Sequence, residues 1–203
     1  GRSLVRRLLQ EGEEVSVLAR TSQIPAHLQS LGACVTVGDV RRWSSLRQAV
    51  QGMDAIFHCA GKVEPTGRWV DFLEVNVLGT LNVLEAARET GATVVFTSTG
   101  GAIYGDVTSP AAEDAPLRPV SPYGMAKQAA EAYVTGWTRI HQVPTAVLRL
   151  ANVYGPRQSA ALEGGVVAIF LERMAAGEAT SIFGDGEQTR DFVYVGDVVS
   201  AIL

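Results

Sequence analysis

Tyr123 and Lys127 stand four residues apart in Tyr123-Gly124-Met125-Ala126-Lys127, just after Pro119-Val120-Ser121-Pro122. On a helix, positions i and i+4 share a face, so the lysine ammonium can lie near the phenol. A neighbouring cation favours phenolate and lowers a tyrosine pKa from about 10, turning an inert phenol into a usable acid/base. Taken alone, this spacing more often marks a solvated helix face. Two strand-end motifs accompany it here. Upstream, Val94-Val95-Phe96-Thr97-Ser98-Thr99-Gly100-Gly101 reads as a buried strand ending in hydroxyl residues and paired glycines. Downstream, Leu148-Arg149-Leu150-Ala151-Asn152-Val153-Tyr154-Gly155-Pro156-Arg157 reads as another strand with a polar tip. Open α/β sheets bind ligands beyond the carboxyl ends of their strands, where Ser98 and Thr99 fall.

The elements that must position these residues alternate along the first 150 positions. Helical periodicity over 2–11 ends at Gly12, and Val15–Leu18 follows as a strand. A weak helix after Pro25 reaches Gly32, then come strand Cys34–Val37, helix Ser44–Gln51 and strand Ala55–Cys59. Over 69–90, Leu73, Val77, Leu81, Leu84 and Ala87 mark one face of a long helix that Gly91 closes. The strand around Val94–Phe96, a helix over 122–141 and the strand Thr145–Leu150 complete the series. Such alternation predicts an α/β fold, a doubly wound parallel sheet of the Rossmann type. After Pro156 the pattern weakens to one helix near 163–176 and a Gly-rich turn. The expected division is a dinucleotide-binding domain over 1–155 and the start of a small C-terminal substrate lobe over 156–203, returning to the core near its end.

Composition excludes several classes. With 203 residues, 47% hydrophobic and 19% charged, the chain has the makings of a globular core. Seventeen Lys+Arg against twenty-one Asp+Glu give a net charge of −4 with no basic block, so no nucleic-acid partner is expected. The longest apolar runs fall far short of the roughly 20 residues that span a bilayer, so no membrane span is expected. Cys34 and Cys59 show neither disulfide nor metal spacing; they read as small buried hydrophobes in a reducing, cytoplasmic setting. Trp43, Trp69 and Trp137 read as packing residues. His58, following a buried strand, reads as a core histidine bonded to a neighbour, whereas His27 and His141 lack any partner pattern. Arg41-Arg42 reads as a helix flank.

Taken in order, the two strand-end motifs and the Tyr123/Lys127 pair between them resemble the extended short-chain dehydrogenase/reductase family, in its epimerase/dehydratase branch. The resemblance covers essentially the whole chain. It includes Asp54-Ala55-Ile56-Phe57-His58-Cys59-Ala60-Gly61, Asn76-Val77-Leu78-Gly79-Thr80-Leu81-Asn82, and Ile182-Phe183-Gly184-Asp185-Gly186 through Arg190-Asp191-Phe192-Val193-Tyr194. It implies that Tyr123 is the catalytic acid/base and that Lys127 holds the nicotinamide ribose and lowers the Tyr123 pKa. Thr99 would bond the reacting hydroxyl, with Ser98 the neighbouring candidate. Asp39 and Val40 would contact adenine, and Ala60, Gly61, Lys62 and Asn76 would lie along the dinucleotide path. Asn152 and Arg190 would hold the diphosphate of a nucleotide-sugar substrate, a task suited to the arginine fork. The family's habit of dimerising through helices matching 69–90 and 122–141 implies a homodimer.

Two features refine the reaction. Sugar-nucleotide 4,6-dehydratases of the family carry an Asp-Glu pair beside the catalytic threonine, where this sequence has Gly100 and Gly101. Glycines cannot move protons, so the pattern looks like the UDP-sugar 4-epimerase branch, which oxidises C4 transiently with bound NAD. Gly1 looks like the last glycine of a Gly-x-x-Gly-x-x-Gly pyrophosphate turn, whose strand and other glycines are absent from the sequence. Arg20 stands where an NAD-preferring member usually has an acid, and it could meet a 2′-phosphate instead. That leaves two alternatives: an NADP-dependent reductase acting on a carbonyl or sterol-like substrate, and a non-catalytic NAD(P)- or RNA-binding relative.

Overall fold

The computed structural model describes residues 1–21, 29–63, 67–107, 110–159 and 165–203. The reading of a weak helix after Pro25, and His27 with it, falls largely outside them. The chain divides into two compact units, Gly1–Arg149 and Leu150–Leu203, parting inside the fifth strand.

In the first unit, α1 (Arg2–Gln10) leads into β1 (Ser16–Ala19), which pairs in parallel with β2 (Cys34–Val37). Then come α2 (Trp43–Ala49), with Arg42 as its N-cap residue, and β3 (Ala55–His58). The long helix expected over 69–90 is present and continuous, but its middle is π-helical: α3 (Trp69–Phe72), a π segment (Leu73–Leu78) and α4 (Gly79–Thr90). Gly91 ends it at φ 80°, a left-handed C-cap that costs glycine little. β4 (Thr93–Thr99) pairs in parallel with β3 and runs into a single turn, α5 (Gly100–Ile103). α6 (Pro122–His141) returns the chain to β5 (Thr145–Leu150), on the other side of β4. The architecture is the α/β, Rossmann-type one that the alternation predicts.

The sheet of this unit lies in two pieces, β1–β2 and β3–β4–β5. Val15–Leu18 and Ala55–Ala60 line a common cavity of about 800 Å³, together with Gly1, Leu4, Val5 and Leu8. The core forms where α4 and α6 cover β4: Val83, Leu84 and Ala87 meet Val94, Phe96, Ala130 and Val134, all fully buried or nearly so. Each large side chain buried there contributes about 1.5–3 kcal/mol. Gly79 permits one close approach, since a Cβ on it would stand 2.7 Å from Cγ2 of Val40.

The second unit holds β6 (Asn152–Tyr154) in parallel with β7 (Phe192–Tyr194), α7 (Val166–Ala175) and α8 (Val195–Ile202). Two readings of the sequence need correction. Cys34 and Cys59 are both exposed, because Cys34 opens an outer strand and Cys59 lies just past the end of β3. Trp43 and Trp69, in the first turns of α2 and α3, are 36% and 64% exposed rather than packed, whereas Trp137 packs against the core.

Candidate active site

The sequence around α6 specifies its own start. Ser121 caps the helix with Oγ accepting from the Gly124 amide at 3.1 Å, and Pro122 fills the first turn, where its lack of N–H costs nothing. A Cβ on Gly124 would lie 2.5 Å from the Ala102 carbonyl oxygen, so only glycine lets this turn close on α5. The packing brings Tyr123 to the carboxyl end of β4. There the neighbouring Thr99 hydroxyl favours the phenolate, but burial of Tyr123 outweighs this and raises its pKa.

Lys127 is buried at 4% exposure and donates through Nζ to the Thr97 carbonyl oxygen at 2.7 Å, 4.6 Å above the Phe96 ring. Burial pushes it down to about 8, against smaller opposing effects of Cys59 and Glu131. This differs from the expected lowering of the Tyr123 pKa: the ammonium is engaged under the strand end, and desolvation governs the phenol. Ser98 is 5% exposed, and its Oγ lacks a hydrogen-bond partner.

Residues after β3 gather beside this cluster. Ala60 and Gly61 are exposed, and a Cβ on Gly61 would stand 3.4 Å from Asn76 Oδ1 and 3.5 Å from Lys127 Nζ. Asn76, from the π segment, grips Lys62 twice: Oδ1 accepts from the Lys62 amide at 2.7 Å, and Nδ2 donates to its carbonyl at 3.0 Å. Gly1 lines the cavity that Cys59 and Ala60 also border.

At the ends of β1 and β2, Asp39 is held by Arg41 (Nε–Oδ1 2.9 Å, Nη2–Oδ2 2.7 Å), which lowers its pKa to about 2. Arg20 adds a smaller pull on the same carboxylate. Val40 lies in the core, with its carbonyl accepting from Asn82 at 2.9 Å. In the second unit, the Asn152 side chain donates to the Asp191 carbonyl at 2.9 Å, and Arg190 is exposed with Nη1 on the Thr189 carbonyl at 2.8 Å.

One cluster escaped the sequence reading. Arg149 of β5 donates from Nε and Nη2 to the Glu131 carboxylate at 2.8–3.1 Å, and from Nη1 to Tyr104 Oη at 2.8 Å and the Glu113 carbonyl at 2.7 Å. A signal existed. Glu131 shares a helical stripe with Ala126, Lys127, Ala130 and Val134, and a carboxylate buried there requires a partner.

A parallel α/β sheet with a tyrosine, a threonine and a lysine gathered at one strand end defines a class, and comparison assigns the family. The model of the NAD dependent epimerase/dehydratase family matches residues 1–203, and the chain belongs to that family. It is 45% identical over 156 residues to the UDP-glucose 4-epimerase of Mycolicibacterium smegmatis, covering 74% of this chain and 50% of that protein. Among solved structures it is similar to the UDP-glucose 4-epimerase of Thermotoga maritima with UDP-glucose: TM-score 0.93, 37% identity, 100% of this chain and 68% of that one. The UDP-glucose 4-epimerase of Thermus thermophilus, in complex with NAD, gives a TM-score of 0.87 and 38% identity, over 98% of this chain and 68% of that one. The chain spans about half the length of the curated relatives it matches.

Proposed function

We propose that this chain is the dinucleotide-binding part of a nucleotide-sugar 4-epimerase of the UDP-glucose/UDP-galactose type. Residues 1–155 serve the dinucleotide and 156–203 begin the substrate lobe; Asn152, near the end of the first part, and Arg190, in the second, meet the diphosphate. The observation that carries the reading is the half-buried Tyr123 set beside Thr99 at the end of β4, with glycines rather than carboxylates at 100 and 101. The printed activities and ligands of the relatives support it.

The residues fit NAD: Ser98 presents a buried hydroxyl without a partner, and Gly61 offers exposed backbone beside Lys127 and Asn76. Ser98, Ala60, Gly61, Lys62, Asn76 and Lys127 would hold the dinucleotide, Asp39 and Val40 its adenine end, and Gly1 its pyrophosphate. When bound, NAD supplies a reversible hydride acceptor for the sugar C4. Once ionised, a state that burial opposes and Thr99 favours, Tyr123 would take the C4 hydroxyl proton onto its phenolate oxygen and return it when the 4-keto sugar is reduced on its other face. Thr99 orients that hydroxyl.

The test is proton NMR of UDP-glucose and UDP-N-acetylglucosamine incubated with the protein carrying this chain, without added cofactor. Appearance of the axial C4 epimer, abolished in Tyr123→Phe, supports the reading; no epimer from either sugar overturns it. A second reading, NADP in place of NAD, draws on Arg20, which with Arg41 acts on the Asp39 carboxylate. The ratio of NAD+ to NADP+ affinity decides between them. The two free, exposed thiols support a reducing, cytoplasmic location. Exposed Leu73 and Leu78 on one helix, with Tyr133 and Ile140 on the other, support a homodimer.

A further inference from the structure

His58 takes no part in the chemistry proposed above, yet it is 3% exposed at the end of β3, with Nε2 2.9 Å from Thr80 Oγ1. Thr80 has a single hydroxyl proton, and the Asn76 carbonyl oxygen lies 2.6 Å away. A carbonyl only accepts, so that proton is committed to it. The Thr80 oxygen is left as an acceptor, and His58 must be the donor, neutral and protonated on Nε2. Burial first and the Lys127 ammonium second hold His58 far below its ordinary value, at about 3, in keeping with a neutral ring.

The chain of donors continues. Asn76 stands on the π segment, a wide turn that proteins use sparingly and often at functional sites. Fixing its carbonyl fixes the turn that aims its amide, and the amide holds both backbone groups of Lys62. The path therefore leaves the chain at residue 58 and returns to it at residue 62, closing a loop around Cys59, Ala60 and Gly61.

We infer that His58 is a positioning residue: through Thr80 and Asn76 it holds segment 59–62, the backbone that lies along the dinucleotide path. The link to a dinucleotide rests on the function proposed above, whereas the hold on the segment rests on the hydrogen bonds alone.

Three variants test it. Thr80→Val removes the hydroxyl and keeps the shape. His58→Leu removes the donor, and His58→Gln places an amide donor near the position of Nε2. Amide hydrogen exchange at Lys62 is expected to quicken about tenfold in Thr80→Val and His58→Leu, the loss of roughly one hydrogen bond, and to return towards wild type in His58→Gln. Exchange at Val94 and Phe96 in β4 should stay unchanged. NAD+ titration should rank the variants in the same order. If His58→Leu does not fold, Thr80→Val carries the test. An unchanged Lys62 amide in Thr80→Val overturns the positioning role, as does a wild-type His58 that nitrogen NMR finds protonated on Nδ1. A wild-type protein that ignores NAD+ while Lys62 exchange responds overturns the dinucleotide reading instead.

Discussion

Lys127 donates its ammonium to the carbonyl oxygen of Thr97 at 2.7 Å, although its spacing from Tyr123 suits it to meet the phenol. The cation is thus kept beneath the strand end that carries Ser98 and Thr99. Its burial has a consequence for stability.

Lys127 titrates at about 8 in the fold against 10.5 in an unfolded chain. Between those values the unfolded chain binds more protons, so stability rises with pH through that window. The cost of the buried charge is fully present below pH 8. Tyr123, with its raised pKa, acts in the opposite direction only above pH 10. Urea midpoints measured from pH 7 to 10 should climb more steeply in wild type than in Lys127→Met. Parallel curves would refute the assignment.

Tyr123→Phe removes the proton carrier and leaves the packing in place. Epimer formation should fall by about 10²–10⁴-fold, the usual worth of a positioned acid/base. The thermal midpoint should move little. Activity retained within tenfold would assign the proton to another group.

Arg149→Met strands the Glu131 carboxylate, which is 7% exposed on its side chain, without its cation. Removing one partner of a buried pair costs about 3–5 kcal/mol. The double variant Arg149→Met/Glu131→Gln should recover much of that loss, as denaturant unfolding can measure. A double variant as unstable as the sum of its parts would show that the two do not act as a pair.

Gly124→Ala drives a Cβ against the Ala102 carbonyl. Either α6 shifts or α5 gives way, at a cost of about 1–3 kcal/mol, the range of overpacked cores. Because Tyr123 is the adjacent residue, epimerase activity should drop along with stability. Gly136→Ala, on the same helix with open space at its Cβ, is the control and should be neutral or slightly stabilising.

A homodimer built on the helices over 69–90 and 122–141 leaves a mass of twice the chain in light scattering at micromolar concentration. Ile140→Glu places a charge at a position now 73% exposed and should halve that mass without unfolding the protein. A monomer mass for the wild type overturns the dimer.

Much of this architecture was legible in the residues because the signals are local. Ser121, Pro122 and Gly91 mark helix ends, and the apolar run before Ser98 marks a buried strand whose tip carries the hydroxyls. The π segment was not legible. Leu73, Val77 and Leu81 keep helical spacing in the sequence, so periodicity alone reads straight through the wide turn, although Leu73 is exposed where Leu84 and Ala87 are buried. Asn76 was named for its place on the dinucleotide path, but its grip on Lys62 depends on that turn. The Arg149–Glu131 pair joins positions on different elements, which no local pattern reports. Cys34 and Cys59 misled because apolar neighbours suggest burial even at an outer strand or just beyond a strand end, where the neighbours face away.

Arg149 also bears on how the sequence can drift. Its guanidinium serves a carboxylate, a phenol and a main-chain carbonyl from three segments at once, with the Tyr104 ring 5.3 Å from its central carbon. Lysine offers a point charge in place of a planar fork, and cannot meet all three. Positions 104, 131 and 149 therefore form one unit of variation. A lineage that abandons the arginine must replace the glutamate as well, and the tyrosine then has no reason to stay.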